Sequence, residues 1–433
     1  MIGFGQNFMQ IQNTPFRDVC VGSVAFSDVD NDGDEDVLIS GYTNGMKYSE
    51  LYQNDGLGNF TLVANTPFTG VFSSSIAFSD VDNDGDEDVL IVGTLANGIS
   101  GAHISELFTN NGLGNFSLVT GTPFNGCQDG SIAFSDIDND GDEDVLITGR
   151  RGLHPNYNAI SELYTNDGLG NFSLLSGTPF PDIWGSWIGF SDVDGDGDED
   201  VLITGRDNNA IDFAGLYTND GVGNFTLVAN TPFQGVYGMN NAFSDIDNDG
   251  DEDVLIAGKY CISQVCSQIC ELYTNDGSGN FSLVNNTSFP QIVRGDIGFS
   301  DVDNDGDKDF LITGAGVAEL YQNDGSGIFS LVNGTPFTAV YSSSIAFSDV
   351  DNDGDEDVLI IGSIDAGYGD VNTSSLYRNN TNTILNNIND FNTKNQKILE
   401  ITNILGQPTK KENNTPLFYI YDDGTVEKKI IIE

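Results

Sequence analysis

The chain has 433 residues, 66 of them acidic and 15 basic, for a formal net charge of -51. That balance excludes nucleic acid and anionic membrane surfaces as partners of the molecule as a whole. With 38% hydrophobic and 10% aromatic residues it can still bury a sizeable core, and two His with five Cys leave little material for a His-based catalytic centre or a thiolate metal site.

No apolar run is long enough to span a bilayer as a helix. The opening residues, Met1 to Asn7, lack the basic start and apolar stretch of a signal peptide, which points to a start upstream or to trimming.

Self-similarity is the dominant feature of the chain. The pattern Asp-x-Asp-x-Asp-Gly-Asp-x-Asp begins at Asp28, Asp80, Asp136, Asp192, Asp245, Asp301 and Asp349, with successive starts 52, 56, 56, 53, 56 and 48 residues apart. Each unit reads as four short strands. In the second, Ser75 to Phe78 precedes the acidic loop, Val89 to Gly93 follows it, Ser105 to Phe108 comes after a variable stretch, and a tight Asn110-Asn111-Gly112 turn leads into Asn115 to Val119. The first strand carries a small residue at its centre in every copy: Ala25, Ala77, Ala133, Gly189, Ala242, Gly298 and Ala346. Such a position suits the innermost strand of a propeller blade.

The seventh unit ends at Arg378 without its fourth strand. Residues Asn7 to Ile11 supply it, because Phe8 to Phe16 repeats the eight-residue step of Phe60 to Phe68 and Phe116 to Phe124. The expected fold is therefore all-β, a seven-bladed β-propeller over residues 1–380 closed by the N-terminal strand, with a small C-terminal β domain.

The acidic loops have the ligand chemistry of Ca2+, hard oxygens on a tightly turned backbone. The expected metal residues are Asp28, Asp30, Asp32, Asp34 and Asp36; Asp80, Asp82, Asp84, Asp86 and Asp88; Asp136, Asp138, Asp140, Asp142 and Asp144; Asp192, Asp194, Asp196, Asp198 and Asp200; Asp245, Asp247, Asp249, Asp251 and Asp253; Asp301, Asp303, Asp305, Asp307 and Asp309; and Asp349, Asp351, Asp353, Asp355 and Asp357. The seventh-position Asp, such as Asp34, contributes its main-chain carbonyl. Two carboxylates about 4 Å apart repel by roughly 4 kcal/mol at an effective dielectric of about 20, so an ion-free loop is costly to fold. With about seven structural Ca2+ the formal charge would move from -51 to -37.

These copies, for example Phe26-Ser27-Asp28-Val29-Asp30-Asn31-Asp32-Gly33-Asp34-Glu35-Asp36, resemble the FG-GAP/VCBS repeats of calcium-binding propellers related to the integrin alpha-subunit head. The resemblance covers roughly residues 4 to 380. It implies cations on one face of the disc and partners on the other, and it implies no chemical activity.

An Asn-rich stretch, residues 381–396, reads as a linker. Beyond it, Leu399 to Gln407 and Thr415 to Ile432, including the Asp422-Asp423-Gly424 turn, resemble a C-terminal sorting domain of the type IX secretion system of Bacteroidetes, here residues 397–433. By that resemblance the tail engages the type IX machinery and the protein is secreted or held on the outer cell surface. On pattern alone a small hairpin domain is the competing reading. Cys261 pairing with Cys270, or with Cys266, would pin one variable loop.

The variable connections hold the ligand-binding candidates. Just after the second strand the copies carry Tyr42, Thr94, Arg150, Arg206, Lys259, Ala315 and Ser363, and four residues after each strand-4 Phe stand Cys20, Phe72, Gln128, Trp184, Tyr237, Val293 and Tyr341. Arg150, Arg206 and Lys259 form a basic arc on adjacent copies, with Trp184 and Tyr237 available for stacking. Glu162 and Glu271 are the expected local partners of Arg150 and Lys259, and Asp207 adjoins Arg206; because Gly215 stands where Arg206 would find such a Glu, its charge is expected to be the least spent on a cross-strand partner. The leading expectation is a non-enzymatic binding or adhesion protein recognising a polysaccharide, such as an anionic one, or a surface protein. The alternative is an extracellular polysaccharide lyase or hydrolase using His103, His154, Tyr157 and Arg150.

Overall fold

A computed structural model describes residues 8–95, 102–153, 156–263, 265–365, 371–381, 398–402, 410, 417–421 and 426–429. His154, the linker from residue 382 onward, Asn403 to Gln407 and the Asp422 to Gly424 turn lie outside the described residues. The chain divides into two compact units, Met1–Asn379 and Asn380–Glu433. In the second, Ile398–Thr402, Leu417–Tyr421 and Val426–Lys429 form a three-stranded sheet.

The first unit is all-β among its described residues, and each sequence repeat becomes a four-stranded antiparallel arrangement. In the second repeat the order is Phe72–Ser79, Asp88–Thr94, His103–Thr109 and Ser117–Leu118. A single bridge, Ile160↔Ile183, joins the third and fourth repeats into one larger sheet. The second strand is buried along its whole length, with Val89, Leu90, Ile91 and Val92 fully shielded. This explains why these strands read as unbroken apolar runs and not as alternating ones.

Fourth strands are only two residues long, shorter than the Asn115 to Val119 expected from sequence. Phe116 instead turns inward against Phe68, with ring centroids 5.1 Å apart. The Phe of each Thr-Pro-Phe, or of Thr287-Ser288-Phe289 in the fifth repeat, wedges against the Tyr or Phe of the next repeat, as Phe124 does against Tyr164 and Phe172. Short edges of this kind limit strand-to-strand aggregation.

The first and last strands of the first unit pair as the eight-residue Phe step required. Met9–Gln10 pairs with Asn372–Arg378 in the register Met9↔Arg378 and Gln10↔Tyr377, and Phe8 packs on Phe337 with centroids 4.9 Å apart. One core cluster joins Val37, Ile39 and Tyr52 of the first repeat to Val350, Leu359 and Leu376 of the last. The small central residues of the first strands sit under close neighbours: a Cβ on Gly189 would collide with the Trp187 ring.

Candidate functional site

Each acidic loop is wound by its own carboxylates. Asp28 accepts hydrogen bonds from the backbone N–H of Asp32 and Gly33 at 3.1 and 2.9 Å, and Asp32 accepts from the N–H of Asp34 at 3.1 Å. Gly33 holds φ +91°, which favours glycine. Asp36 is buried and accepts from the backbone N–H of Asn54 at 2.7 Å. Burial, reinforced by Asp30, Asp32 and Asp28, pushes its carboxyl up to about 7 against the opposing Asn54 bond, and Asp88, Asp144, Asp200 and Asp253 behave alike.

Oxygens from Asp28, Asp30 and Asp32, from Asp80, Asp82 and Asp88, and from Asp192, Asp194 and Asp200 lie within 4.8 Å of one another, close enough to hold a metal ion. In all seven loops Oδ1 of the third-position Asp (Asp30, Asp82, Asp138, Asp194, Asp247, Asp303, Asp351) is buried with no hydrogen-bond partner.

The remaining Asp of the loop has a different task. Asn31 Nδ2 donates to Asp86 of the next repeat at 2.7 Å, and the same step recurs as Asn83 to Asp142, Asn139 to Asp198, Asn248 to Asp307, Asn304 to Asp355 and Asn352 to Asp34. Only the fourth repeat breaks the series, with Gly195 in place of Asn. A second, buried clasp is complete: Asn54, Asn110, Asn166, Asn219, Asn275, Asn323 and Asn379 donate to backbone carbonyls of Val350, Val29, Val81, Ile137, Val193, Ile246 and Val302 at 2.7–2.8 Å. In the sequence alone these Asn read as turn residues.

At the other end of the first strands, all seven repeats line one cavity of about 1520 Å³. The two residue sets picked out by sequence are cross-strand partners: Cys20↔Tyr42, Phe72↔Thr94, Gln128↔Arg150, Trp184↔Arg206, Tyr237↔Lys259 and Tyr341↔Ser363. The residue after each takes a left-handed conformation: Val21, Ser73, Asp129, Gly185, Gly238, Arg294 and Ser342, at φ between 47 and 75°. Their backbones form a girdle of hydrogen bonds from repeat to repeat, including Ser73 N–H to Val21 O at 2.7 Å, Gly185 N–H to Asp129 O at 2.6 Å and Val21 N–H to Ser342 O at 3.1 Å. The last of these again links the first and seventh repeats. A β-branched Val with positive φ is costly in isolation, and the girdle bond compensates it.

The basic arc differs from expectation. Glu162 lies opposite Ile147 and accepts from Asn125 and Tyr164, while Glu271 lies opposite Ile256 and accepts from Tyr273. Neither meets the cation expected. Arg150 pairs instead with Asp129 at 2.5 Å. Arg206 is the most fully spent on a cross-strand partner, not the least: it grips Asp212, directly opposite in register, through bonds of 2.6 and 3.0 Å, and it does not line the cavity. Gly215 faces Ile203, so the absent Glu was never at Arg206's position.

The aromatics tie these cations into a row. Arg150 lies between Tyr157 and Trp184, 4.3 and 4.5 Å from the ring centroids, Trp184 meets Tyr237 edge to face at 5.8 Å, and Arg206 lies 3.8 Å from the Tyr237 ring centre. Lys259 is 5.9 Å from that same ring. Cys261 is bonded to Cys266, one of the two pairings open from sequence, and Cys270 is a buried free thiol. The Cys261 N–H donates to Asp212 at 2.5 Å, so the bridged hairpin abuts the row.

Residues 28–91, 192–256 and 301–360 match the FG-GAP-like repeat. A solved structure described as the basis of specific recognition of non-reducing terminal N-acetylglucosamine by an Agrocybe aegerita lectin shares 19% identity, with 74% of this chain and 81% of that one covered at a TM-score of 0.51. That likeness shows a shared fold. A mutant of AofleA from Arthrobotrys oligospora matches at 11% identity over 87% and 93% of the two chains with a TM-score of 0.37, and an endo-1,4-beta-xylanase from Bacteroides thetaiotaomicron at 10% over 62% and 96% with 0.33. No curated protein matches the sequence. Among the described residues no helix is long and apolar enough to cross a membrane.

Proposed function

We propose that this chain is a calcium-stabilised seven-bladed propeller that binds carbohydrate in the cavity lined by all seven repeats, and that it works outside the cell as a secreted or surface protein without catalysing a reaction. The observation that carries the calcium reading is the unpartnered, buried Oδ1 at the third position of every loop. A buried carboxylate oxygen costs several kcal/mol unless it is paired or binds a metal. A divalent, oxygen-loving ion fits that donor set, and Asp28, Asp30, Asp32 and Asp36 with their six counterparts would hold it. Support for a closed ring comes from the Met9–Gln10 pairing, the Asn54 to Val350 and Asn352 to Asp34 bonds, and the girdle bond between Val21 and Ser342.

Carbohydrate binding is favoured by a cavity above the usual 300–1,000 Å³ of small-molecule pockets, walled by Trp184, Tyr237, Tyr157 and many hydroxyls. The lectin with the shared fold recognises a sugar, which accords with that reading. Screening the calcium-loaded protein on immobilised oligosaccharides tests it, and absence of binding to every class would overturn it. Surface protein is the alternative partner.

One observation keeps an acid–base reading in play. His103 Nε2 lies 3.1 Å from the Gly152 carbonyl, to which it must donate, and His103 lines the cavity together with Tyr157 and Arg150. Product analysis of any bound oligosaccharide separates a lyase or hydrolase from a lectin. We propose further that residues 397–433 are an export signal read by type IX machinery, on the strength of their sequence.

A further inference from the structure

The cavity is balanced in charge: Arg150, Lys259 and Arg294 line it together with Asp129, Asp296 and Asp365. Arg206, the cation with the strongest pairing, is outside it. An acidic ligand would therefore approach a strongly acidic molecule without meeting a compensating basic patch.

The wall's hydrogen-bonding groups are also of both kinds. The Asp129 carboxylate accepts, whereas Arg150 can only donate. His103 Nδ1 and Arg150 Nε are both buried without a hydrogen-bond partner. A carboxylate or sulfate, which only accepts, satisfies Arg150 and opposes Asp129. A hydroxyl donates and accepts, so vicinal hydroxyls can bridge the Arg150–Asp129 pair, whose side chains remain 23% and 26% exposed.

The girdle shows where such a ligand fits. Five of its seven positions carry side chains in the left-handed conformation, namely Val21, Ser73, Asp129, Arg294 and Ser342. The backbone there does not require glycine. Yet Gly185 and Gly238 occupy it in two neighbouring repeats, beside Trp184 and Tyr237, and a Cβ on either would meet nothing closer than 3.5 Å. Their missing side chains leave a notch next to Asp129, to which Gly185 is bonded through the backbone.

We propose that this notch is a subsite for an uncharged saccharide, whose ring lies over Gly185 and Gly238 beside the contacting Trp184 and Tyr237 rings while its hydroxyls bridge Arg150 and Asp129. The proposal rests on the carbohydrate-binding reading and narrows it to a neutral ligand at a defined place.

The test uses the full chain in calcium with two sets of immobilised oligosaccharides of equal length, one of neutral hexoses and one bearing uronate or sulfate. Neutral binding is expected, with affinity nearly independent of salt between about 0.05 and 0.5 M, a range over which exposed charge pairing is strongly screened. Gly238→Ser and Gly185→Ser introduce a side chain already carried by Ser73 and Ser342, and each should lower affinity about tenfold or more, a loss of about 1.4 kcal/mol, while the left-handed backbone lowers the melting temperature by only about 2–4 °C and leaves the protein folded at the assay temperature. Asp129→Asn should also weaken binding. Selective, salt-sensitive binding of the acidic set, or full affinity in Gly238→Ser, overturns the neutral subsite while the carbohydrate reading stands. Failure of every oligosaccharide to bind overturns both.

Discussion

Asn54→Ala is a test of ring closure whose size can be worked from the structure. Asn54 is 7% exposed. Its side chain donates to Val350 O at 2.8 Å and to Glu35 O at 3.2 Å, and accepts from the Asp55 N–H at 2.9 Å. Alanine removes all three bonds and strands the buried Val350 carbonyl. At about 1 kcal/mol for each of the bonds with Glu35 and Asp55, and about 1–3 kcal/mol for the stranded Val350 acceptor, the loss is about 3–5 kcal/mol. Asn166→Ala breaks the same three bonds, of 2.8, 3.2 and 2.9 Å, between interior repeats, so the two variants should match. Asn139→Ala removes exposed bonds of 2.7 Å to Asp198 and 3.5 Å to Gly221 O at a left-handed residue and should cost only about 1–2 kcal/mol. At about 2 °C per kcal/mol for a body of this size, calorimetry in calcium should show Asn54→Ala and Asn166→Ala each melting about 6–10 °C below the parent. If Asn166→Ala shows that loss while Asn54→Ala melts like the parent, the first and last repeats are not clasped and the closure argument fails.

The acidic loops make stability depend on pH in opposite senses with and without calcium. Asp88, Asp144, Asp200 and Asp253 are pushed up to about 7 by burial, above the roughly 3.9 of an unfolded Asp, so the metal-free fold takes up protons and its stability falls as pH rises from about 4 through about 7. With calcium the ion replaces those protons, and the melting temperature should instead rise over that window; identical profiles in calcium and chelator would contradict this. Deleting residues 1–12 removes Met9–Gln10 and uncovers Asn372–Arg378 as an edge, so aggregation or loss of cooperative unfolding is expected by scattering and calorimetry, against a stable monomer if the strand is dispensable. Removing residues 397–433 should leave calcium-dependent melting unchanged and retain the protein inside a host with type IX export, while normal delivery would exclude a sorting role.

Repetition made much of this legible. The loop motif located every first-to-second strand turn, from Ser27↔Asp36 to Ser348↔Asp357, and the Phe8 to Phe16 step identified the strand that pairs with the last repeat. The side-chain partnerships were not legible, because they depend on register. Glu162 seemed placed for Arg150, but strand pairing sets it opposite Ile147, and Arg206 finds Asp212 through a hairpin whose length sequence alone did not define. Asp129 escaped notice since nothing in its neighbourhood marks the left-handed girdle, which shows only when Val21, Ser73, Asp129, Gly185, Gly238, Arg294 and Ser342 are aligned. The Asn clasps carried a signal, Asn at loop position four in every repeat except the one with Gly195, that composition attributed to turns.

Calcium binding is the centre of the account, and its stoichiometry is the measurement closest to it. Protein stripped with chelator, dialysed and titrated with Ca2+ in a calorimeter, with elemental analysis of the saturated sample, should take up about seven ions per chain, one for each loop with a buried, unpartnered third-position oxygen, and its melting temperature should rise with ion concentration. A saturated protein holding no calcium, or melting at the same temperature in calcium and in excess chelator, would contradict it.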